Sequence, residues 1–228
     1  MAVDQRSHGL SDQVDGPFDF ATLADDLAQV ITEVFPPHMP VVAAGQSLGG
    51  NVVLELAHRH PTRIAAVACI DGGFITLSNT LPDWDTAARQ LAPPSFDGVL
   101  YSDLEKRLRK HFSGWPESGV RGQLANFEVA PDGTARPHLK REHHFLLLRE
   151  MWNHQPCEIA PSIRCPVLVV ATSQTVAGRA AKRESVSRFA DLLPDGRVIW
   201  LDAHHDLHAQ YPSLTSGWLE RLAMEAAR

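Results

Sequence analysis

Four short apolar runs limit what this chain can fold into more than any other feature: Val41-Val42-Ala43-Ala44, residues 64–70, residues 167–171 and residues 198–201. They do not alternate polar with apolar, so they read as strands of a sheet covered on both faces. Between them the apolar side chains fall at helical spacing. Leu23, Leu27, Val30, Ile31 and Val34 precede the first run, and Leu48, Val52, Val53, Leu56 and Ala57 follow it. Pro36 and Pro37 end the first helix because neither can continue the hydrogen-bond ladder, and Thr22 with Asp25 reads as the capping pair at its start. A helix over 179–193 and a closing helix over 214–226, with Leu214, Trp218 and Leu222 on one face, complete the pattern. This order gives an α/β fold, a mostly parallel sheet with helices on both faces.

The rhythm stops near Phe74 and resumes at Cys165. The residues between carry aromatic and proline punctuation (Trp84, Pro93, Pro94, Trp115, Pro116) and two helix-like pieces. One, around 102–112, begins with a Ser102-x-x-Glu105 capping box, and the other runs over 140–152. Residues 74–160 therefore read as a helical cap inserted into a core formed by residues 1–73 and 161–228. Trp84, Phe96, Trp115, Phe127, Phe145, Met151 and Trp152 are available to line an apolar pocket there or to pack the cap on the core.

A net charge of -6 argues against nucleic acid or an anionic membrane surface as partner. Three cysteines, Cys69, Cys157 and Cys165, do not make a disulfide framework. With no signal peptide and no apolar run of membrane-spanning length, the expectation is a cytoplasmic protein.

Gly45-Gln46-Ser47-Leu48-Gly49, followed by Gly50, lies between the first apolar run and an amphipathic helix. A G-x-S-x-G pentapeptide gains specificity in that context, where it reads as a nucleophile elbow. The serine of so sharp a turn is strained, and Gly45 and Gly49 are expected to relieve the crowding. Ser47 also stands at a helix N-terminus, where developing negative charge is favoured, and the Leu48 N–H is a candidate oxyanion donor.

The chain resembles the α/β-hydrolase superfamily along nearly its whole length. Asp4-Gln5-Arg6-Ser7-His8-Gly9-Leu10-Ser11 is similar to the family's D-x-R-G-H-G-x-S segment, with Ser7 where glycine is usual. Asp25-Asp26-Leu27 resembles the helix before the nucleophile strand, and His60-Pro61-x-Arg63 the loop after the nucleophile helix. The segment Leu201-Asp202-Ala203-His204-His205-Asp206-Leu207-His208, with Tyr211-Pro212 beyond it, matches the family's G-H-D-x-H-x-x-x-P region. This implies His205 as general base, with His204 as its rival by one residue of register, and His208 as a packing or capping residue.

The family's usual acid follows the strand over 167–171, where this chain has Ser173 and Gln174 instead. The resemblance offers a second location at the end of the strand over 64–70, where Asp71 stands. The family's first strands and its oxyanion loop have no counterpart before Asp4, so the chain is expected to correspond to the later part of the fold. The implied activity is hydrolysis of an ester or related acyl bond in a small to medium apolar substrate, through an acyl-enzyme. Alternatives are a silent binding protein or fragment, a carbon–carbon bond hydrolase, or a cofactor-free haloperoxidase-like enzyme. Serine at position 47 argues against the haloalkane dehalogenase and epoxide hydrolase chemistries, whose members use aspartate there. Neither cofactor nor metal is expected. His143 and His144 point about 100° apart on a helix, and His204 with His208 lacks the glutamate of an H-E-x-x-H site.

Overall fold

A computed structural model describes residues 1–173 and 179–227. In chain order it contains α1 (Phe20–Val34), β1 (Val41–Gln46), α2 (Leu48–Arg59) and β2 (Ile64–Ile70). Then come α3 (Trp84–Gln90), α4 (Tyr101–His111), α5 (Glu117–Leu124), β3 (Phe127–Val129), β4 (Ala135–Pro137), α6 (Arg141–Asn153) and α7 (Pro156–Ile159). The chain closes with β5 (Val167–Thr172), α8 (Arg179–Leu192), β6 (Gly196–Leu201), α9 (Leu207–Gln210) and α10 (Pro212–Ala226). The apolar runs form one sheet in the order β1-β2-β5-β6, parallel throughout.

Successive side chains on each strand point to opposite faces. Ala43, Val67, Cys69, Val167, Val169 and Ala171 pack against residues of α1, α2 and α8, including Ile31, Leu54, Val186 and Phe189. Ala66, Ala68, Ile70, Leu168 and Val170 pack on the other face against Leu207, Leu222 and Trp218. Covered on both faces, β2 and β5 need apolar residues at every position, and almost all of theirs are buried. β1 and β6 are the sheet's edges and are more open. Ala44, expected in a buried strand, is exposed. No described helix is long and apolar enough to cross a membrane.

Two expected caps are placed differently. α1 is capped by Asp19, whose Oδ1 accepts the Thr22 N–H at 2.9 Å, while Asp25 faces Arg59 and His60. α4 has no side-chain cap at Ser102. Its first N–H, from Tyr101, instead donates to Gly133 O at 3.0 Å in the β3–β4 hairpin, so the hairpin supplies the acceptor that a cap would.

The residues between β2 and β5 form short helices, this hairpin and the loops that join them. Phe112, Val120 and Leu124 form a small core of their own with Tyr101, Leu108 and Trp115. α5 rests backbone to backbone on α9, since a Cβ on Gly119 would lie 2.0 Å from Ala209 O. α6 is anchored by Leu147, which packs with Phe18, Phe20, Leu23 and Val52. At its end His154 stacks on Phe20 and meets Asn51 and Glu55 of α2.

Candidate active site

β1 delivers Ser47 at its C-terminal end, and the chain turns at once into α2. Ser47 has φ 53° and ψ -121°, in the left-handed range that side chains disfavour. Its N–H donates to Ile70 O at 2.9 Å, so the strained residue is locked onto β2. Crowding at the turn is relieved by glycines, though not all of those expected. A Cβ on Gly45 would sit 2.0 Å from Gly49 O, and one on Gly72 would sit 2.1 Å from Ser47 O. A Cβ on Gly50 would lie 2.6 Å from Gly73 N. Gly49 itself has room, its nearest neighbour being Gln5 Nε2 at 3.8 Å. Ser7, where the family usually has glycine, has φ 62° and is held by reciprocal bonds between its hydroxyl and the Val14 backbone.

β2 ends one residue before Asp71, the other non-glycine site residue with positive φ, at 45°. Such backbone persists only where surrounding structure imposes it, and it concentrates at functional sites. Asp71 is 2% exposed, and its N–H donates to Val170 O at 2.7 Å. Its carboxylate accepts from His205 Nδ1 at 2.6 Å, from the Thr172 N–H and hydroxyl at 2.9 Å each, and from Lys182 Nζ at 2.5 Å. Burial alone would push this carboxyl up. The donors of His205, Lys182 and Thr172 outweigh burial and hold it below the usual carboxylate range. With Nδ1–H donated to Asp71, the free Nε2 of His205 is the basic nitrogen.

The loop carrying His205 is tied to Gln46, the residue before Ser47. Gln46 Nε2 donates to His205 O at 3.2 Å and to Asp206 Oδ1 at 3.4 Å. His204 does not face Asp71. Its ring packs edge-on against Trp115 and Phe112, with centroids 5.3 and 5.9 Å away, and its Nδ1 accepts the Asp206 N–H. Register therefore gives His205 to Asp71 and His204 to the turn between α4 and α5. His208 sits on α9, whose first residue is Leu207, so it does not share a helix with His204, and burial lowers its basicity.

Ser173 donates its N–H to Leu201 O at 3.0 Å, and its hydroxyl to the same oxygen; Gln174 lies outside the described residues. Leu48 opens α2, leaving its N–H at the unpaired end of the helix. Lys182, Thr172 and Gln46 were not singled out from the sequence. A lone lysine in a polar helix carries no signature, whereas Gln46 sits inside the pentapeptide itself.

A family model described as alpha/beta hydrolase fold matches residues 1–113. The 2-(acetamidomethylene)succinate hydrolase of Mesorhizobium japonicum is 35% identical over 223 residues, which cover 94% of this chain and 74% of that protein. The chain belongs to the α/β-hydrolase fold family. A pimeloyl-[acyl-carrier protein] methyl ester esterase of Neisseria meningitidis is 33% identical to this α/β-hydrolase over 109 residues, 48% of this chain and 39% of the esterase. Among solved structures, E-2-(acetamidomethylene)succinate hydrolase superposes with a TM-score of 0.75 at 21% identity, covering 96% of this chain and 79% of that one. The thioesterase domain of the curacin biosynthetic pathway superposes at 0.71 with 18% identity, again over 96% and 79%. The relatives matched by sequence are a hydrolase and an esterase.

Proposed function

We propose that this α/β-hydrolase is a serine hydrolase that cleaves an ester or related acyl bond by way of an acyl-enzyme. The observation that carries this reading is the 2.6 Å contact between His205 Nδ1 and Asp71, next to a serine on a strained elbow of the neighbouring strand. Ser47 Oγ attacks the acyl carbon while His205 Nε2 takes its proton, and Asp71 holds the imidazolium that forms. The Leu48 N–H and the start of α2 meet the charge on the tetrahedral oxygen. Collapse of that intermediate expels the alcohol, which leaves with the proton from His205. Water then repeats the sequence on the acyl-serine and releases the acid.

The names of the relatives support hydrolysis of an acyl compound. Residues 74–160 act as the cap in this reading. A cavity of about 510 Å³ lies between them and the N-terminal segment, lined by Phe96, Phe127 and Leu139 on its apolar side. None of Ser47, Leu48, Asp71 and His205 lines it; Gln5 does, and its Nε2 would lie 3.8 Å from a Cβ built on Gly49. That volume suits a small to medium substituent.

A fluorophosphonate probe tests the assignment. Labelling is expected at Ser47 by peptide mass spectrometry, and Ser47→Ala is expected to abolish it. A folded protein that never labels, or a label that survives Ser47→Ala, overturns the reading. The two histidines separate by turnover of a p-nitrophenyl ester. His205→Ala is expected to lose about 10²- to 10⁴-fold in kcat. His204→Phe keeps the aromatic packing and is expected to lose less than about tenfold. Equal losses would mean that the register is wrong.

A further inference from the structure

The acid of this site carries its own cation. Lys182, on α8, places Nζ 2.5 Å from Asp71 Oδ1 and 3.0 Å from Thr172 Oγ1, while His205 takes Oδ2 of the same carboxylate. The lysine side chain is 28% exposed and Asp71 only 2%, so the pair is largely withdrawn from water and its attraction is weakly screened.

A triad acid works through its negative charge, which orients the imidazole and favours the second ring proton. An ammonium on the other oxygen opposes part of that charge. It also offsets the cost of keeping an ionised carboxylate buried at the end of β2. Thr172 bonds both partners and fixes their geometry.

Resting on the serine hydrolase reading, we propose that Lys182 is a positioning residue for the base: it keeps Asp71 ionised and in place, and it weakens the hold of Asp71 on the second proton of His205. Lys182 thereby sets the lower pH at which the site works. Among the described residues, the other charged and titratable groups around His205 are Asp206, whose Oδ2 lies 3.5 Å from His204 Nδ1, His208, and His111, whose ring is 6.2 Å from that of His204. None of them contacts Asp71.

The test compares the parent with K182M, K182Q and K182R, each checked for folding by circular dichroism. Two readouts are taken: the pH profile of kcat/KM for a p-nitrophenyl ester, and the NMR titration of the His205 ring. Loss of the ammonium in K182M is expected to move the acidic limb and the ring midpoint upward by about one pH unit. Below the limb this lowers kcat/KM about tenfold. K182R is expected to restore the parent profile. If K182M does not fold, K182Q makes the same comparison with a neutral hydrogen-bond donor on a side chain one bond shorter. A folded K182M or K182Q whose ring midpoint and acidic limb match the parent overturns the proposal. Turnover that is absent from the parent, or independent of Ser47, overturns the hydrolase reading instead, and the ring titration separates the two failures.

Discussion

Asp71→Asn is expected to lower kcat for ester turnover by about 10⁴-fold while KM changes little, the loss that such a change brings at a buried triad acid. The carboxylate accepts the His205 Nδ1–H at 2.6 Å, which leaves Nε2 as the basic nitrogen. An asparagine that turns its NH₂ toward the ring makes Nδ1 the acceptor and moves the proton to Nε2, where it blocks attack. The amide oxygen is then drawn toward Lys182, which contacts the other oxygen of the acid and has lost its counter-charge. Some loss of stability is therefore expected as well, and thermal melting run beside the kinetics separates it from the loss of catalysis. An undiminished rate in a folded Asp71→Asn protein would remove Asp71 from the site.

The second large effect is expected at a position with no chemistry of its own. Gly45→Ala inserts a Cβ 2.0 Å from Gly49 O, in contact with backbone rather than a movable side chain. The clash can be relieved only by pushing α2 away from β1 or by unwinding its first turn, and either displaces Ser47. Overpacking without a soft partner costs about 3 kcal/mol or more. For a chain of this length that lowers the melting temperature by about 6–12 °C. Fluorophosphonate labelling should fall with it. Gly49→Ala is the control, because the space there is open and the nearest atom is Gln5 Nε2 at 3.8 Å. If Gly45→Ala melts like the parent, the tight approach of strand and helix is not what shapes the elbow.

The sheet was legible because burial on both faces leaves a mark in sequence: β2 and β5 are apolar at nearly every position. The edge strand β1 has the same composition, and no local pattern distinguishes an edge from a centre. The hairpin β3–β4, with three residues in each strand, and α5, which contains Gly119 and Gly122, are too short or too glycine-rich to show a period. At the candidate site, the sharp turn at Ser47 was legible from its pentapeptide, and the resemblance pointed to Asp71 at the end of its strand. His205 was preferred to His204 on the resembled segment alone; what only three dimensions give is the partner of each ring, Trp115 for His204 and Asp71 for His205. Crowding was expected at Gly45 and Gly49. It falls at Gly45, Gly50 and Gly72, because the loop after β2 presses on the elbow from a neighbouring strand. Lys182 was invisible for the same reason: its meaning comes from an acid more than a hundred positions earlier in the chain.

Ser47 and Asp71 flank a single helix–strand unit, α2 and β2, whereas the bond from His205 to Asp71 spans 134 residues. As the chain emerges during synthesis, Ser47 and Asp71 are therefore made well before His205, and before the Thr172 and Lys182 that hold the Asp71 carboxylate. β5, α8 and β6 must dock before the imidazole arrives, and contacts of such sequence separation form late in folding. On the proposed mechanism a nascent or half-folded chain carries an inert Ser47, and reactivity is expected only once the C-terminal part has closed onto the rest.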